Sequence, residues 1–551
     1  MNSAPTVQII LPSRDLLYDH HGPPNGPLGL STERPTSFHN PWPSYRFATF
    51  SDALLAFQRG AAIAPAQNEP ECRACGEWTR VASRSASLNT FRDNNEDDKD
   101  MVVPGGLFYD PDDDDDDDDD DTEAPVQEWG DDDGPDGPSY LARKVTHDTE
   151  RPTGYIRPEM LAMQVDDEAD DWREPPVCVR PPRWLRGEGR DRESDRGEGG
   201  PAKPAVTWIG HASVLVQIPF TDGSGMAGVL FDPIFSLRCS PSQYVGPARS
   251  LDPPCSVAEL PPIHLVIISH DHYDHLDYDS IIDLWNYHID TVHFIVPLGL
   301  GQWFIDCGIP EAYINELDWW CEALVQFPSE ESRTSTPVST YPPTREPEID
   351  PSSRLSLKVA CCPAQHRSGR GVFDQMATLW ASWAVGVLPS NIKNPLAPGM
   401  KDWNSFKVYF GGDTGYRYAT APDSDETAIC PAFEQIGETY GPFSLALLPL
   451  STGSSLPFLR KTFSISLDQY TLTSSQHCSP ADSLKIHGAV KARRTVGMHW
   501  GTFCDSAEAR ATRVDFGRAR RDAAVGSDWE NPGMKGVFVA LDIGETVDVE
   551  P

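Results

Sequence analysis

The sequence predicts one α/β domain over residues 201–551, joined through a long acidic stretch to a short N-terminal segment. Three observations lead there. Short apolar runs rich in β-branched residues recur from Val206 onward, with turn signals and helical segments between them. Ligand-type residues stand just past the ends of several of these runs. The composition also changes at Pro204, from charged and sparse in apolar residues to that of a chain able to bury a core.

Charge sets the domain boundaries. The 551 residues carry 45 Lys+Arg and 83 Asp+Glu, a formal net charge of −38. Between Asp93 and Asp136 lie 22 acidic residues and one basic residue, Lys99, so more than half of that charge sits in one short stretch. Residues 60–200 therefore read as a low-complexity, disordered insertion that includes the Asp112 to Asp121 run. Residues 1–59 read as an N-terminal segment that partly packs on the domain. Within 201–551, residues 329–353 and 388–401 are rich in proline and polar residues and read as surface insertions.

Several function classes are excluded as expectations. No basic tract offers a footprint for nucleic acid. Met1 to Leu17 lacks a basic stretch followed by a long apolar one, so no secretory signal is expected, and no window is apolar for long enough to span a bilayer. The expected location is cytoplasmic, with peripheral contact to internal membranes. Twelve cysteines are too dilute for a disulfide framework, and Cys72-x-x-Cys75 lacks a second ligand pair for zinc.

The elements follow in order. Val206 to Ile218 and Gly228 to Phe235 flank the turn residues Thr221 to Gly225 and read as a hairpin. Ile263 to Ile268 is an unbroken apolar run, as in a strand buried on both faces. Leu355 to Cys362, Phe406 to Phe410, Ser444 to Leu450 and Thr495 to Met498 are further strands. Helices are expected over Tyr278 to Tyr287, Pro480 to Lys491 and Ala507 to Ala524; Ser479 before Pro480 is a helix N-cap followed by proline at the first helical position.

The chemistry lies directly after Ile263 to Ile268, in Ser269-His270-Asp271-His272-Tyr273-Asp274-His275-Leu276-Asp277. In extended backbone His270 and His272 face one point, while Asp274 and His275 turn toward a second. A metal ion takes three or four N/O ligands, so this loop supplies about half of each of two shells. The remaining ligands are expected at strand ends: His366 after Leu355 to Cys362, Asp413 after Phe406 to Phe410, and His499 after Thr495 to Met498. Cys361-Cys362 reads as buried strand, not as a nucleophile.

His270-x-His272-x-Asp274-His275, a later His, Gly412-Asp413-Thr414 and a final His resemble the metallo-β-lactamase superfamily. Within it the chain resembles the N-acylphosphatidylethanolamine-hydrolysing phospholipases D. The matching pieces include Asn40-Pro41-Trp42-Pro43, Trp208-Ile209-Gly210-His211-Ala212, Asp232-Pro233-Ile234-Phe235, Glu316-Leu317-Asp318-Trp319-Trp320, Pro363-Ala364-Gln365-His366 and His499-Trp500-Gly501-Thr502-Phe503. The resemblance implies a four-layer αβ/βα sandwich and two Zn2+ per chain. It implies that His270, His272 and His366 hold one zinc, that Asp274, His275 and His499 hold the other, and that Asp413 bridges them. It assigns catalytic roles to Asp274 and Asp413 and places His477 at the mouth of the site. His211 either joins the site or bonds backbone beneath the metals. Tyr273, Tyr416 and Arg460 are expected to contact substrate. Arg460 would replace a positive charge lost where Ser451 to Ser455 departs from the family pattern. The segment Ser454 to Leu472 is open to two readings, core packing or a lipid-facing rim.

The implied activity is hydrolysis of N-acylphosphatidylethanolamine to N-acylethanolamine and phosphatidic acid. The alternatives are a metallo-hydrolase acting on a soluble phosphodiester or a lactone, and a non-catalytic acidic interaction protein. Expected partners are a phospholipid at a membrane surface, a second copy of the chain in a homodimer, and a basic partner for the acidic insertion, with no nucleic acid.

Overall fold

The computed structural model describes residues 4–10, 20–21, 37–61, 175–185, 202–329, 349–390, 392–394, 396–452 and 468–551. The poly-Asp run, Cys72, Cys75, most of the 329–353 insertion and Arg460 lie outside the described residues.

In chain order the first elements are β1 (Thr6–Ile10), α1 (Phe50–Ala61), β2 (Ala205–Gly210), β3 (Ser213–Pro219), β4 (Met226–Phe231), β5 (Leu265–Ile267), α2 (Tyr278–His288), β6 (His293–Pro297), α3 (Gly301–Asp306), β7 (Ile314–Leu317) and β8 (Glu322–Phe327). They are followed by β9 (Leu355–Cys362), β10 (Ser382–Val387), β11 (Lys407–Phe410), α4 (Ala432–Thr439), β12 (Phe443–Pro449), α5 (Gln469–Thr473), α6 (Pro480–Ala489), β13 (Ala492–Met498), α7 (Ser506–Ala523), β14 (Val537–Val539) and β15 (Thr546–Asp548).

The described strands form two sheets. One runs β15-β2-β3-β4-β5-β6-β7 and the other β1-β8-β9-β10-β11-β12-β13-β14. Each is antiparallel at its beginning and parallel over its last four strands. Strand periodicity divides the core between them. Leu265 and Ile267 point toward the second sheet, while Val266 and Ile268 join the cluster built with Ile281 and Leu284 of α2. Phe231 and Phe410 stack across the sheets at 4.6 Å between ring centroids, worth about 0.5–1.5 kcal/mol beyond the area they bury. On the far side, Phe516 of α7 meets Phe538 of β14 at 4.9 Å. The result is the four-layer sandwich, helix on sheet on sheet on helix.

Three details depart from the sequence reading. Val206 to Ile218 is not one strand: it turns at His211 and Ala212 into the β2–β3 pair, with Gly210 at φ 113° and His211 at φ 48°. Both strands are buried on both faces, so no apolar-polar alternation sets them apart on either side of Gly210-His211-Ala212. Residues 175–185, inside the stretch read as disordered, pack on the domain, with Val177 buried and Arg180 N–H donating to Ile543 O at 2.7 Å. The 388–401 segment is more than a surface insertion. Met400 is fully buried, Gly399 N–H donates to Glu322 Oε1 at 2.6 Å, and Lys358 Nζ, paired with Glu322 at 2.9 Å, donates to Ala397 O at 2.6 Å. A buried ion pair needs such further partners to offset its desolvation.

The N-terminal segment is tied to the sheets. β1 extends the second sheet by pairing antiparallel with β8. Asp318 accepts from His20 and His21, both at 2.7 Å, and Trp42 stacks on Trp319 at 5.4 Å.

Buried imidazoles outside the site make folding acid-sensitive. Burial pushes His293 down to about 4 and His264 to about 3, while in the unfolded chain both return to their ordinary range near 6.5. Below about pH 6.5 the unfolded state binds protons that the folded state refuses. Stability therefore falls from pH 6.5 toward pH 4 and does not change on this account above 6.5. His293→Leu should remove up to about 3 kcal/mol of this loss at pH 4, read as a flatter dependence of the urea midpoint on pH.

Candidate metal centre

The parallel strands end at one edge, and the ligand-type side chains follow those ends. β5 leads into Ser269 and His270, β11 leads through Gly411 and Gly412 into Asp413, and β13 leads into His499. β9 delivers His366 through Pro363 to Gln365, and the β2–β3 turn delivers His211. Gly412, at φ 56°, leaves no room for a side chain, since a Cβ would lie 2.7 Å from Ser269 Cβ. The two metal-loop regions can approach closely only because that position is glycine.

Two groups of donors result. His270, His272, His366 and Asp413 form one, and His211, Asp274, His275 and His499 the other; within each, all ligand atoms lie within 4.8 Å of one another. In the first, the nitrogens of His270, His272 and His366 are 2.9, 3.2 and 3.2 Å apart. Tetrahedral zinc with Zn–N bonds near 2.0–2.1 Å has an N···N edge of roughly 3.3–3.4 Å. Asp413 stands between the groups, with Oδ2 3.2 Å from His275 Nε2 and 3.8 Å from His366 Nε2, and Oδ1 3.0 Å from His499 Nε2.

Hydrogen bonds behind the ligands fix which ring nitrogen faces inward. His275 Nδ1 donates to Asp232 at 2.7 Å, His366 Nδ1 to Gln476 O at 2.8 Å, and His499 Nδ1 to Ser451 O at 3.3 Å. His270 Nδ1 donates to Ser269 Oγ at 2.8 Å, which in turn donates to Asp232 at 2.6 Å. Their Nε2 lone pairs therefore converge on the centre. His275 Nε2, His499 Nε2 and Asp413 Oδ1 are buried and make no hydrogen bond, although the last two are only 3.0 Å apart. Such crowding of acceptors is costly unless a cation sits among them, so these residues fit divalent metal.

The electrostatics agree. Burial pushes His270 and His366 well below the ordinary imidazole range and His272 to about 4, so these rings are neutral, as ligands must be. Burial alone would raise the carboxyl of Asp413, but His275 and His499 outweigh it and hold the group well below the usual range. Burial opposes charge on His275 too, yet Asp413 and Asp274 drive it well above 6.5. The position thus calls for positive charge, which a proton or a metal ion can supply.

His211 Nε2 lies 3.0 Å from Asp274 Oδ2, so its ring contacts that carboxylate instead of backbone beneath the centre. His477 Nδ1 lies 3.5 Å from Asp413 Oδ2, and its partial exposure, with that of Asp274, marks the side open to solvent. Tyr273 packs beside Ile234, Cys239 and Phe503, and Tyr416 packs against Phe433 at 6.0 Å. Cys361 and Cys362 are buried, with thiols driven well above their ordinary range by burial. Sequence reasoning missed Asp232 as an anchor, although it stands just past β4 as the ligands stand past other strands. It also missed Asn40, whose amide donates to His366 O at 2.7 Å.

Residues 228–500 match the model of the beta-lactamase superfamily domain. The chain belongs to the metallo-β-lactamase superfamily. Its domain is that of a metal-dependent hydrolase, a fold that binds divalent metal. The chain is 34% identical over 308 residues to an uncharacterised protein of Mycobacterium tuberculosis, covering 55% of this chain and 60% of that protein. It is 30% identical over 304 residues to the N-acyl-phosphatidylethanolamine-hydrolyzing phospholipase D 1 of Caenorhabditis elegans, covering 54% and 64%. Both alignments span less than two thirds of the relative. Among solved structures, a metallo hydrolase of the archaeon Ignicoccus hospitalis aligns at a TM-score of 0.34 and 17% identity, covering 63% of this chain and 99% of that one. No helix among the described residues of this metallo-β-lactamase family member is long and apolar enough to cross a membrane.

Because Asp232 orients His275 directly and His270 through Ser269, Asp232→Ala should weaken metal binding roughly ten- to hundredfold, measured by competition with a chromogenic chelator. An unchanged affinity would contradict the orienting role. Affinity should also fall as pH is lowered through the neutral range, since a proton competes with metal at His275, which Asp413 and Asp274 hold well above 6.5 despite its burial.

Proposed function

We propose that this chain is a dinuclear-zinc phosphodiesterase of the phospholipase D type, hydrolysing N-acylphosphatidylethanolamine at a membrane surface. The observation that carries the reading is the pair of donor groups meeting at Asp413. The name of the Caenorhabditis elegans relative supports the substrate class. His270, His272, His366 and Asp413 would hold one ion, and Asp274, His275, His499 and Asp413 the other.

When bound, such an ion pair supplies Lewis-acid stabilisation of charge on a phosphoryl group and lowers the pKa of water toward neutrality. The chain's own residues do the rest. Water adds to phosphorus and the bond from phosphorus to the ethanolamine oxygen breaks, giving N-acylethanolamine and phosphatidic acid. His477, pushed by burial to about 4, is neutral at pH 7 and presents Nδ1 beside Asp413 on the open side. It is placed to take up or return a proton there. His211 holds the Asp274 carboxylate in place. No serine or cysteine nucleophile is required.

Vesicles containing N-acylphosphatidylethanolamine should yield N-acylethanolamine and phosphatidic acid by mass spectrometry, and Asp413→Asn should lower the rate at least about a hundredfold. Purified protein should carry two zinc ions per chain. Turnover of only soluble phosphodiesters or lactones would overturn the substrate assignment, and undiminished turnover in Asp413→Asn would overturn the mechanism.

A further inference from the structure

The loop that carries His270, His272, Asp274 and His275 is crossed on one side by a single guanidinium. Arg370 Nε donates to Asp271 O at 2.5 Å, and Arg370 Nη2 donates to Leu276 O. These carbonyls bracket three of the four ligands, and the fourth, His270, directly precedes them. Asp271 and Leu276 are both buried, so their carbonyls need donors that the short turn within the loop does not supply. The Arg370 guanidinium carbon lies 4.4 Å from the Tyr273 ring centroid and 5.3 Å from that of Trp303. A planar fork packed on aromatic rings and bonded to two carbonyls at once is a geometry that arginine can adopt and lysine cannot.

Arg370 is itself held. Asp374 accepts from the N–H of Arg370 at 2.9 Å and from that of Gly371 at 2.7 Å. Gly369, at φ 122°, donates its N–H to Asp271 Oδ1 at 2.8 Å. This bracing segment begins at His366, a donor of the first group, and grips the loop that supplies two of the four donors of each group.

We infer that Arg370 is a positioning residue for the metal centre, stapling the His270–Leu276 loop so that donors from both groups keep their spacing. The inference rests on the metal-dependent reading of the site, and it gives Tyr273 a role as the ring that seats this staple.

The test uses full-length protein stripped of metal with a chelator and titrated with Zn2+, alongside thermal unfolding of the metal-free form. Arg370→Met should weaken zinc affinity roughly ten- to hundredfold. Arg370→Lys should give a smaller but measurable loss, because an ammonium cannot serve both carbonyls in the same way. A lower unfolding midpoint with unchanged zinc affinity in Arg370→Met would show a purely structural role and overturn the assignment. If Arg370→Met does not fold, Arg370→Lys decides: wild-type affinity overturns the proposal and a loss sustains it. Wild-type protein that takes up no zinc would remove the metal-dependent reading and the assignment together, an outcome distinct from wild-type binding with unaffected variants.

Discussion

Asp232 is a fully buried carboxylate that accepts three hydrogen bonds, from the Ser269 N–H at 2.7 Å, the Ser269 hydroxyl at 2.6 Å and His275 Nδ1 at 2.7 Å. Burial pushes its pKa up, and these donors work against that rise. Through them one side chain fixes the end of β5, the tautomer of His275 and, by way of Ser269, that of His270. Without it two imidazoles would be free to turn either nitrogen inward, and the centre would lose the convergence of lone pairs on which its metal chemistry depends.

The rest of the fold can be understood as a way of meeting that constraint twice. Parallel strands in both sheets end at one edge, so short loops from distant parts of the chain meet over it. Gathering so many imidazoles and two carboxylates there is unfavourable by itself, and the surroundings compensate by rigidity. Asn40 holds the His366 carbonyl, α6 begins at a capping box between Ser479 and Asp482 just after His477, and the stacked Trp208 and Trp500 support the turns bearing His211 and His499. Pre-organisation of this kind is what lets a site bind metal without first having to order its ligands.

Much of this was legible in the sequence. The metal loop announced itself through ligand density alone, and Asp413 and His499 could be placed because each directly follows a recognisable apolar strand. Boundaries of β9, β11 and β12 were close to their sequence estimates for the same reason. The β2–β3 turn was not visible, because strands buried on both faces carry no alternation to mark a break. Several strands, including β6, β8 and β10, are short or interrupted by polar residues such as His293, Glu322 and Gln326, whose burial depends on partners far away in sequence. The anchors were hidden for a related reason. Asp232, Ser269 and Asn40 acquire meaning only through hydrogen bonds to residues 37, 43 and 326 positions away, distances over which local pattern carries no information.

The most direct measurement is anomalous diffraction at the zinc edge from crystals of the full-length protein grown with Zn2+. Two peaks about 3.5–4 Å apart are expected, one among His270, His272 and His366 and one among Asp274, His275 and His499, with Asp413 between them. A single peak, or zinc bound elsewhere with these side chains left unliganded, would contradict this arrangement.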